Sequence, residues 1–497
     1  MSELFLNVIA RGDNILERYL DSRGEEQIRK IDYKPSLFSP SNVETKYKDI
    51  YGNFMARKQF DGMKSCRDAR SMYEAVHGMS YTGMENYAYA YMSDTYSSEI
   101  IDRTSKVRIC TVDIEVTAPC FPDPMVGIWE IDSLTHYDSL DHHFYVFGVG
   151  PWSKDKSILD KRILDILTYT EYASEEDLLI GYLQHWSENP PVVVSGWNSD
   201  GFDMPYIYQR ILKVLGESNV CKLSPWKVVK EKMVLNAYHK EVMNVEILGV
   251  SHLDYLKLYK KFILEPRPTY KLGYIGEVEV GQSKIDFSEY RNLAELKEKN
   301  YQKYVDYNIM DVDLILRIDH ERNLFKLALS IAWYAKCNFD DIFSPIRTWD
   351  CILFNSLRES NTIIPPKKNH PKEKFPGAWV KEPNGGMGGL FRSIASFDLE
   401  SLYPCVIMQW NISPETIVEE FNPPDLTEWI SGEYDVVTNG LSTNPCGVRY
   451  SKEKRGIIPI EIEKVFKQRK MHKKLNGKYA QELLSIDKEI ERRGLTI

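Results

Sequence analysis

Hydrophobic and polar positions change period repeatedly along the chain, and each change predicts an element. In Cys110–Thr117 the side chains alternate, so that Val112, Ile114 and Val116 fall on one face of a strand and Asp113 and Glu115 on the other. His143–Val149 reads as a further strand and Pro191–Trp197 as a short buried strand ending in a turn, while short apolar runs such as Leu4–Ile9 assign no element by themselves. Glu175–Trp186 has helical spacing. At Asn198–Ile207, Asp203 and Pro205 mark a helix start, with Asp203 as the capping carboxylate. A basic, β-like stretch follows from about 220, then an amphipathic helix at Leu253–Phe262. Asn300–Leu316 is helical, with Val305, Ile309, Val312 and Leu316 on one stripe. Ser393–Cys405 reads as a strand leading into a turn. Ile460–Arg492 reads as one long helix whose stripe includes Ile462, Val465, Leu475, Tyr479, Leu483 and Ile490, stopped by Gly494. Strands alternating with helices predict an α/β layer architecture.

Composition narrows the class. At 497 residues the chain exceeds one core and predicts about three domains. A formal charge of -9 places any nucleic-acid contact in local basic patches. The region before about 105 offers tyrosines between Tyr81 and Tyr96 with Arg57, Lys58 and Lys64, which suit single-stranded nucleic acid or, equally, the core rim of a β/α domain. Eight cysteines without a C-x-x-C pair read as thiols of a reducing cytosol. The first residues lack the order of a signal peptide and no apolar run approaches bilayer length, so the expectation is a soluble cytoplasmic protein without a membrane partner.

The acids carry the chemistry. Adjacent carboxylates on one strand face repel each other unless a cation lies between them, and hard oxygen donors suit a divalent ion. Alone, D-x-E also reads as an amphipathic strand with a polar outer side. Asp203, at the carboxyl end of a strand, sits where α/β sheets place ligands. Tyr307 and Asp311 are four apart on one helix, so the phenol lies one turn from the carboxylate and can orient a water. D-x-E, then W-N-x-x-x-F-D, then Y-x-x-x-D resembles the DEDD 3'-to-5' exonucleases whose last motif carries a tyrosine. That resemblance implies a ribonuclease H-like fold and two divalent ions, Mg²⁺ or Mn²⁺, held by Asp113, Glu115, Asp203 and Asp311, with Tyr307 catalytic beside them.

Further along, Asp398-Leu-Glu-Ser-Leu-Tyr-Pro404 resembles the D-x-x-S-L-Y-P motif of family B DNA polymerases. Phe343–Asp350, Trp197–Asp203 and Asn411–Thr416 are similar to the T-even-type phage replicative kind. The resemblance implies a metal site at Asp398 and Leu399, and nucleotide binding at Leu399, Leu402, Tyr403, Arg469 and Lys473, Tyr403 excluding ribonucleotides and the two cations meeting the triphosphate. The Gly- and Pro-rich Phe375–Gly389 reads as a domain junction. The chain departs from the pattern at Glu400, read as turned to solvent, and at Cys405. The implied layout is an α/β and α+β multidomain protein: an amino-terminal β/α domain at 1–105, rejoined by 325–368; an exonuclease domain at 106–324; a partial palm at 369–455; and the first fingers helix at 456–497.

The second palm motif, Asp-Thr-Asp, is missing from these residues, and the one Tyr-Gly pair, Tyr51-Gly52, comes too early for the return fingers helix. The expectation is therefore the amino-terminal subunit of a split polymerase, proofreading alone and polymerising only with a second polypeptide. Primer-template DNA and deoxynucleoside triphosphates are its substrates. A sliding clamp and a single-strand-binding protein are further partners, in the cytoplasm of an infected bacterial host. A free-standing single-strand exonuclease with a vestigial polymerase part, and a regulator holding RNA without cleaving it, are the competing readings.

Overall fold

The computed structural model describes residues 3–76, 79–97, 102–235, 241–365, 389–433 and 440–494. They form two compact units, one of 1–37, 58–79 and 84–355, the other of 38–57, 80–83 and 356–497. The junction expected at Phe375–Gly389 lies almost wholly outside the described residues, as does the boundary at 368/369.

In the first unit, the amino-terminal strands Leu4–Arg11, Asn14–Leu20 and Glu26–Asp32 form an antiparallel sheet. Arg18, fully buried, donates to the carbonyls of Pro191 at 2.6 Å, Gly249 at 2.7 Å and Pro190 at 2.8 Å, tying this sheet to the segments that follow. The helix Leu324–Ala335 returns to it, Trp333 Nε1 donating to the Phe5 carbonyl at 3.0 Å. Tyr87, Tyr89 and Tyr91 are buried on the helix Tyr87–Thr95. Tyr91 and Tyr96 donate to Glu17 and Tyr89 to Asp341. These tyrosines therefore belong to the core, not to a stacking surface.

The larger sheet of this unit contains β1 (Ile109–Val116), β2 (Ile131–Asp138), β3 (His143–Gly148), β4 (Leu167–Glu171), β5 (Val193–Ser195) and β6 (Ser251–His252). Their spatial order is β4-β3-β2-β1-β5-β6. β1, β2 and β3 pair antiparallel, while β4, β5 and β6 join in parallel. Helices cover both faces: α1 (Glu175–Glu188) and α2 (Asp203–Leu215) on one, α4 (Tyr301–Arg322) on the other, with α3 (Tyr255–Phe262) after β6. Ser174, Asp254 and Asn300 cap α1, α3 and α4 through their side chains.

The alternation in β1 splits two cores. Val112 and Ile114 pack with Leu134, Tyr182, Trp186, Met204 and Ile207 under α1 and α2. On the opposite face Phe144 and Val146 meet Val305, Ile309 and Val312 of α4, the stripe expected from the sequence. Asp113 and Glu115 point to the α4 side, so both acids lie under a helix.

In the second unit Tyr47–Asp49 pairs in parallel with Thr362–Ile363, and Ile417–Glu420, Val448–Ser451 and Leu441–Thr443 form a three-stranded sheet. Ser393–Cys405 is not the strand its alternation suggested. Residues 394–399 have no strand pairing, and α5 (Leu402–Trp410) has begun by Leu402. Alternation sets which way side chains face, but a strand also needs a neighbour to satisfy its backbone, and none among the described residues pairs there. The long helix, α6, runs Ile457–Arg493, somewhat beyond its expected ends, and stops at Gly494 with φ +65°. Its 37 residues span about 55 Å at 1.5 Å each.

Candidate active site

Three of the expected acids converge. Carboxylate oxygens of Asp113, Glu115 and Asp311 lie within 4.8 Å of one another, brought together by β1 and the α4 helix that crosses it. Asp203 is buried beside them, but it does not cap its helix as expected. Phe202 occupies the cap position, and Asp203 Oδ1 instead accepts from the Ile114 amide of β1 at 3.2 Å. A short acidic side chain before a helix carries the same sequence signature whether it turns back on its own backbone or reaches a neighbouring strand, and here the neighbour wins.

Two residues of the site escaped the sequence reading. Lys284 donates to the Tyr307 hydroxyl at 3.0 Å and forms an ion pair with Asp311. It thus links the phenol and the acid that were expected to share a water. Asn308 donates to Asp113 Oδ2 at 2.7 Å, while its own Oδ1 accepts from the hydroxyls of Ser133 at 2.9 Å and Thr135 at 2.6 Å. That chain fixes the Asp113 carboxylate from behind. Lys284 lies in a loop with no periodicity to flag it; Asn308 adjoins Tyr307, and its place on α4 was the one available clue.

Burial sets the electrostatics. Desolvation first, then Asp203, Asp311 and Glu115, pushes Asp113 well above the usual carboxylate range. Glu115 is pushed up to about 8 by burial and Asp311, and Asp203 to about 7, mainly by burial. Burial also raises Asp311, against the pull of Lys284. Burial alone would lower Lys284, but Asp311, Tyr307 and Asp113 outweigh it and hold the ammonium firmly protonated. Asp311 Oδ1 is buried without a hydrogen-bond partner. A confined set of oxygen donors carrying excess negative charge and an orphaned carboxylate oxygen fits a hard divalent ion.

This arrangement makes metal binding and proton release a single process. Glu115 and Asp203, faced by Asp113, Asp311, Lys284 and Tyr307 and more distantly by Asp132 and Asp254, retain protons in the folded chain that they lose in the unfolded one. Folded pKa values raised from the ordinary 4.5 to about 8 and from 3.8 to about 7 mean that stability without metal is lost as pH rises through that window. A divalent ion bound by these acids would replace those protons, so its apparent affinity should tighten by about tenfold per pH unit for each proton displaced. The thermal shift produced by a fixed Mn²⁺ concentration is expected to be larger at pH 8 than at pH 6. An equal or smaller shift would contradict the raised carboxylates.

The other expected residues lie in the second unit. Asp398, Leu399 and Tyr403 are exposed, on the extended segment before α5 and on its first turn, and Leu402 is 44% exposed. Arg469 and Lys473 share a face of α6. Glu400 does not simply turn to solvent as expected: its Oε1 lies 3.8 Å from Arg469 Nη1 and 3.6 Å from Lys473 Nζ. Between groups this exposed, such contacts contribute only about 0–1 kcal/mol. They nevertheless place the two cations against the segment that carries Asp398.

The sequence matches the exonuclease domain of DNA polymerase family B over residues 46–275 and the DNA polymerase family B polymerase region over residues 346–485. It is 41% identical over 493 residues to the DNA-directed DNA polymerase of Escherichia phage RB69, covering 95% of this chain and 54% of the relative. To the DNA-directed DNA polymerase of Enterobacteria phage T4 it is 42% identical over 492 residues, with the same coverage of 95% and 54%. DNA polymerase 1 of Pyrococcus abyssi is 26% identical over 375 residues, 71% of this chain and 44% of that protein. The chain thus spans about half the length of the phage relatives it matches.

Proposed function

Because this chain belongs to DNA polymerase family B, we propose that its first unit is a proofreading 3'-to-5' exonuclease and its second unit contributes to a DNA-directed polymerase site. The observation that carries the exonuclease reading is the convergence of Asp113, Glu115 and Asp311, with Asp203 alongside, on a mixed sheet covered by helices on both faces. The substrate is the frayed 3' end of a primer. A water attacks the terminal phosphorus, the bond from phosphorus to the penultimate 3' oxygen breaks, and a deoxynucleoside monophosphate leaves. Two divalent ions, Mg²⁺ or Mn²⁺, would supply charge neutralisation of the phosphate and acidification of the water. Asp113, Glu115, Asp203 and Asp311 would hold them. Asn308 keeps Asp113 oriented toward the site. Tyr307, its hydroxyl fixed by Lys284, orients the attacking water.

In the polymerase site Asp398 and Leu399 would hold a metal ion. Leu402 and Tyr403 line the incoming nucleotide, the phenol crowding a ribose 2'-hydroxyl, while Arg469 and Lys473 meet its triphosphate. Two-metal nucleotidyl transfer needs further carboxylates beyond Asp398. These 497 residues by themselves are therefore expected to digest DNA and not to extend it. Extension is expected when the remaining palm, fingers and thumb are supplied as a second polypeptide. Primer-template DNA and deoxynucleoside triphosphates are the substrates, a sliding clamp and single-strand-binding protein are partners in replication, and the cytoplasm of an infected bacterial host is the setting. Among the described residues no helix is long and apolar enough to cross a membrane.

One labelled primer-template decides between readings. Digestion by the chain alone, with extension only in the presence of the second polypeptide, is the expected result. Extension by the chain alone would overturn the account of the polymerase ligands. Digestion with no extension in either case would favour the free-standing exonuclease.

A further inference from the structure

Behind the catalytic strand lies a second group of ligating side chains. Cys110, His136 and Asp138 are all buried, and a ligand atom from each lies within 4.8 Å of the others. The register of the sheet creates the group: Cys110 stands opposite Asp138 and Val112 opposite His136 across the β1–β2 pair. Side chains at these positions share the face that Val112 and Ile114 present to α1, away from Asp113 and Glu115.

The hydrogen bonding of this group is incomplete in a specific way. His136 is 1% exposed, yet neither of its ring nitrogens has a partner. His185 of α1 stands with its ring centroid 5.1 Å from that of His136, and its Nε2 is buried and unpartnered as well. Cys110 is a free thiol. Buried imidazole nitrogens are ordinarily hydrogen-bonded or bound to a metal. Tyr182 and Trp186 pack edge-on against His136, and the Tyr182 hydroxyl is buried without a partner as well.

We propose that Cys110, His136 and Asp138, with His185 as the nearest further donor, form a closed structural site for a zinc-class ion that fastens α1 to the back of the exonuclease sheet. A thiolate, imidazoles and one carboxylate are the donor set of Zn²⁺ in its four-coordinate structural sites, whereas Mg²⁺ and Ca²⁺ take oxygen donors. Asp138 already accepts from Arg108 and, at 2.8 Å, from the Leu140 amide. Its Oδ1 also accepts from the Asp141 amide at 3.4 Å, so Oδ2, which accepts from Arg108, is the oxygen that retains a lone pair for an ion. The three residues are buried on β1 and β2 beneath α1, which suits a site that holds structure instead of performing chemistry.

The test uses the full chain produced with added Zn²⁺ and purified without chelator. Elemental analysis is expected to find about one equivalent of zinc, and exchange with Co²⁺ to produce a thiolate-to-metal charge-transfer band. Cys110→Ser and His136→Asn should each lose both signals, while Asp113→Ala with Glu115→Ala should retain them, separating this site from the exonuclease acids. Should the single variants fail to fold, the wild-type chain decides: its melting temperature should fall on chelation and recover with Zn²⁺ but not with Mg²⁺. Absence of zinc after reconstitution and of a Co²⁺ thiolate band would overturn the proposal and leave a buried water as the partner of His136.

Discussion

Replacing Asp113 and Glu115 together with alanine is expected to lower digestion of single-stranded DNA by about 10³-fold or more, since the ions that these acids are proposed to hold would contribute several kcal/mol to the reaction. The same substitution should not unfold the chain. At pH 8 and without metal the wild-type site forces together acids that resist ionisation, with Glu115 pushed up to about 8 and Asp203 to about 7. Removing two of them relieves that repulsion, and Lys284 keeps its pair with Asp311. One loss opposes the gain: Asn308 Nδ2 forfeits its 2.7 Å bond to Asp113, a cost of about 1–3 kcal/mol if nothing replaces it. Asp113→Asn with Glu115→Gln keeps an acceptor oxygen there and should match or exceed the wild-type melting temperature at pH 8 in the absence of metal. Both double variants should lose the Mn²⁺-dependent thermal shift. Digestion at wild-type rate by either, measured on a labelled single strand, would remove these acids from the reaction.

Patterns with a fixed period were legible, and features that depend on a distant neighbour were not. β1 and α4 are readable because their apolar positions repeat every two or about every 3.6 residues and each buries one face. Two acids and a Tyr-x-x-x-Asp pair on those elements therefore marked the candidate site, and the order and spacing of the motifs supplied the resemblance. Lys284 could not be found this way: it lies on a loop between helices and acquires meaning only where the fold places its ammonium against Asp311 and Tyr307. Asp203 shows the opposite failure. Its local signature is sound, but its carboxylate bonds the Ile114 amide of a strand far away in sequence. Ser393–Cys405 had the alternation of a strand without a pairing partner among the described residues, and Tyr89, Tyr91 and Tyr96 fitted a binding surface as well as a core until burial beside Glu17 and Asp341 decided it.

Asp398→Asn is expected to separate the two activities. With the remaining polymerase half supplied, extension should fall by about 10³-fold or more, because the amide has the shape of the carboxylate but neither the charge nor the second anionic oxygen that a divalent ion requires. Digestion by the same preparation should stay within about twofold of wild type, and stability within about 0.5 kcal/mol, since Asp398 is exposed and lies clear of the core. The separation rests on the division of the chain: every exonuclease acid belongs to the unit that includes residues 84–355, and Asp398, Tyr403, Arg469 and Lys473 to the unit that includes 356–497. Arg469 and Lys473 retain Glu400 as a neighbour in the variant, so triphosphate affinity should change far less than the rate. A raised KM with an unchanged kcat would make Asp398 a nucleotide-binding group and not a metal ligand. Loss of digestion together with extension would mean that the two sites are coupled, and the assignment of one reaction to each unit would fall.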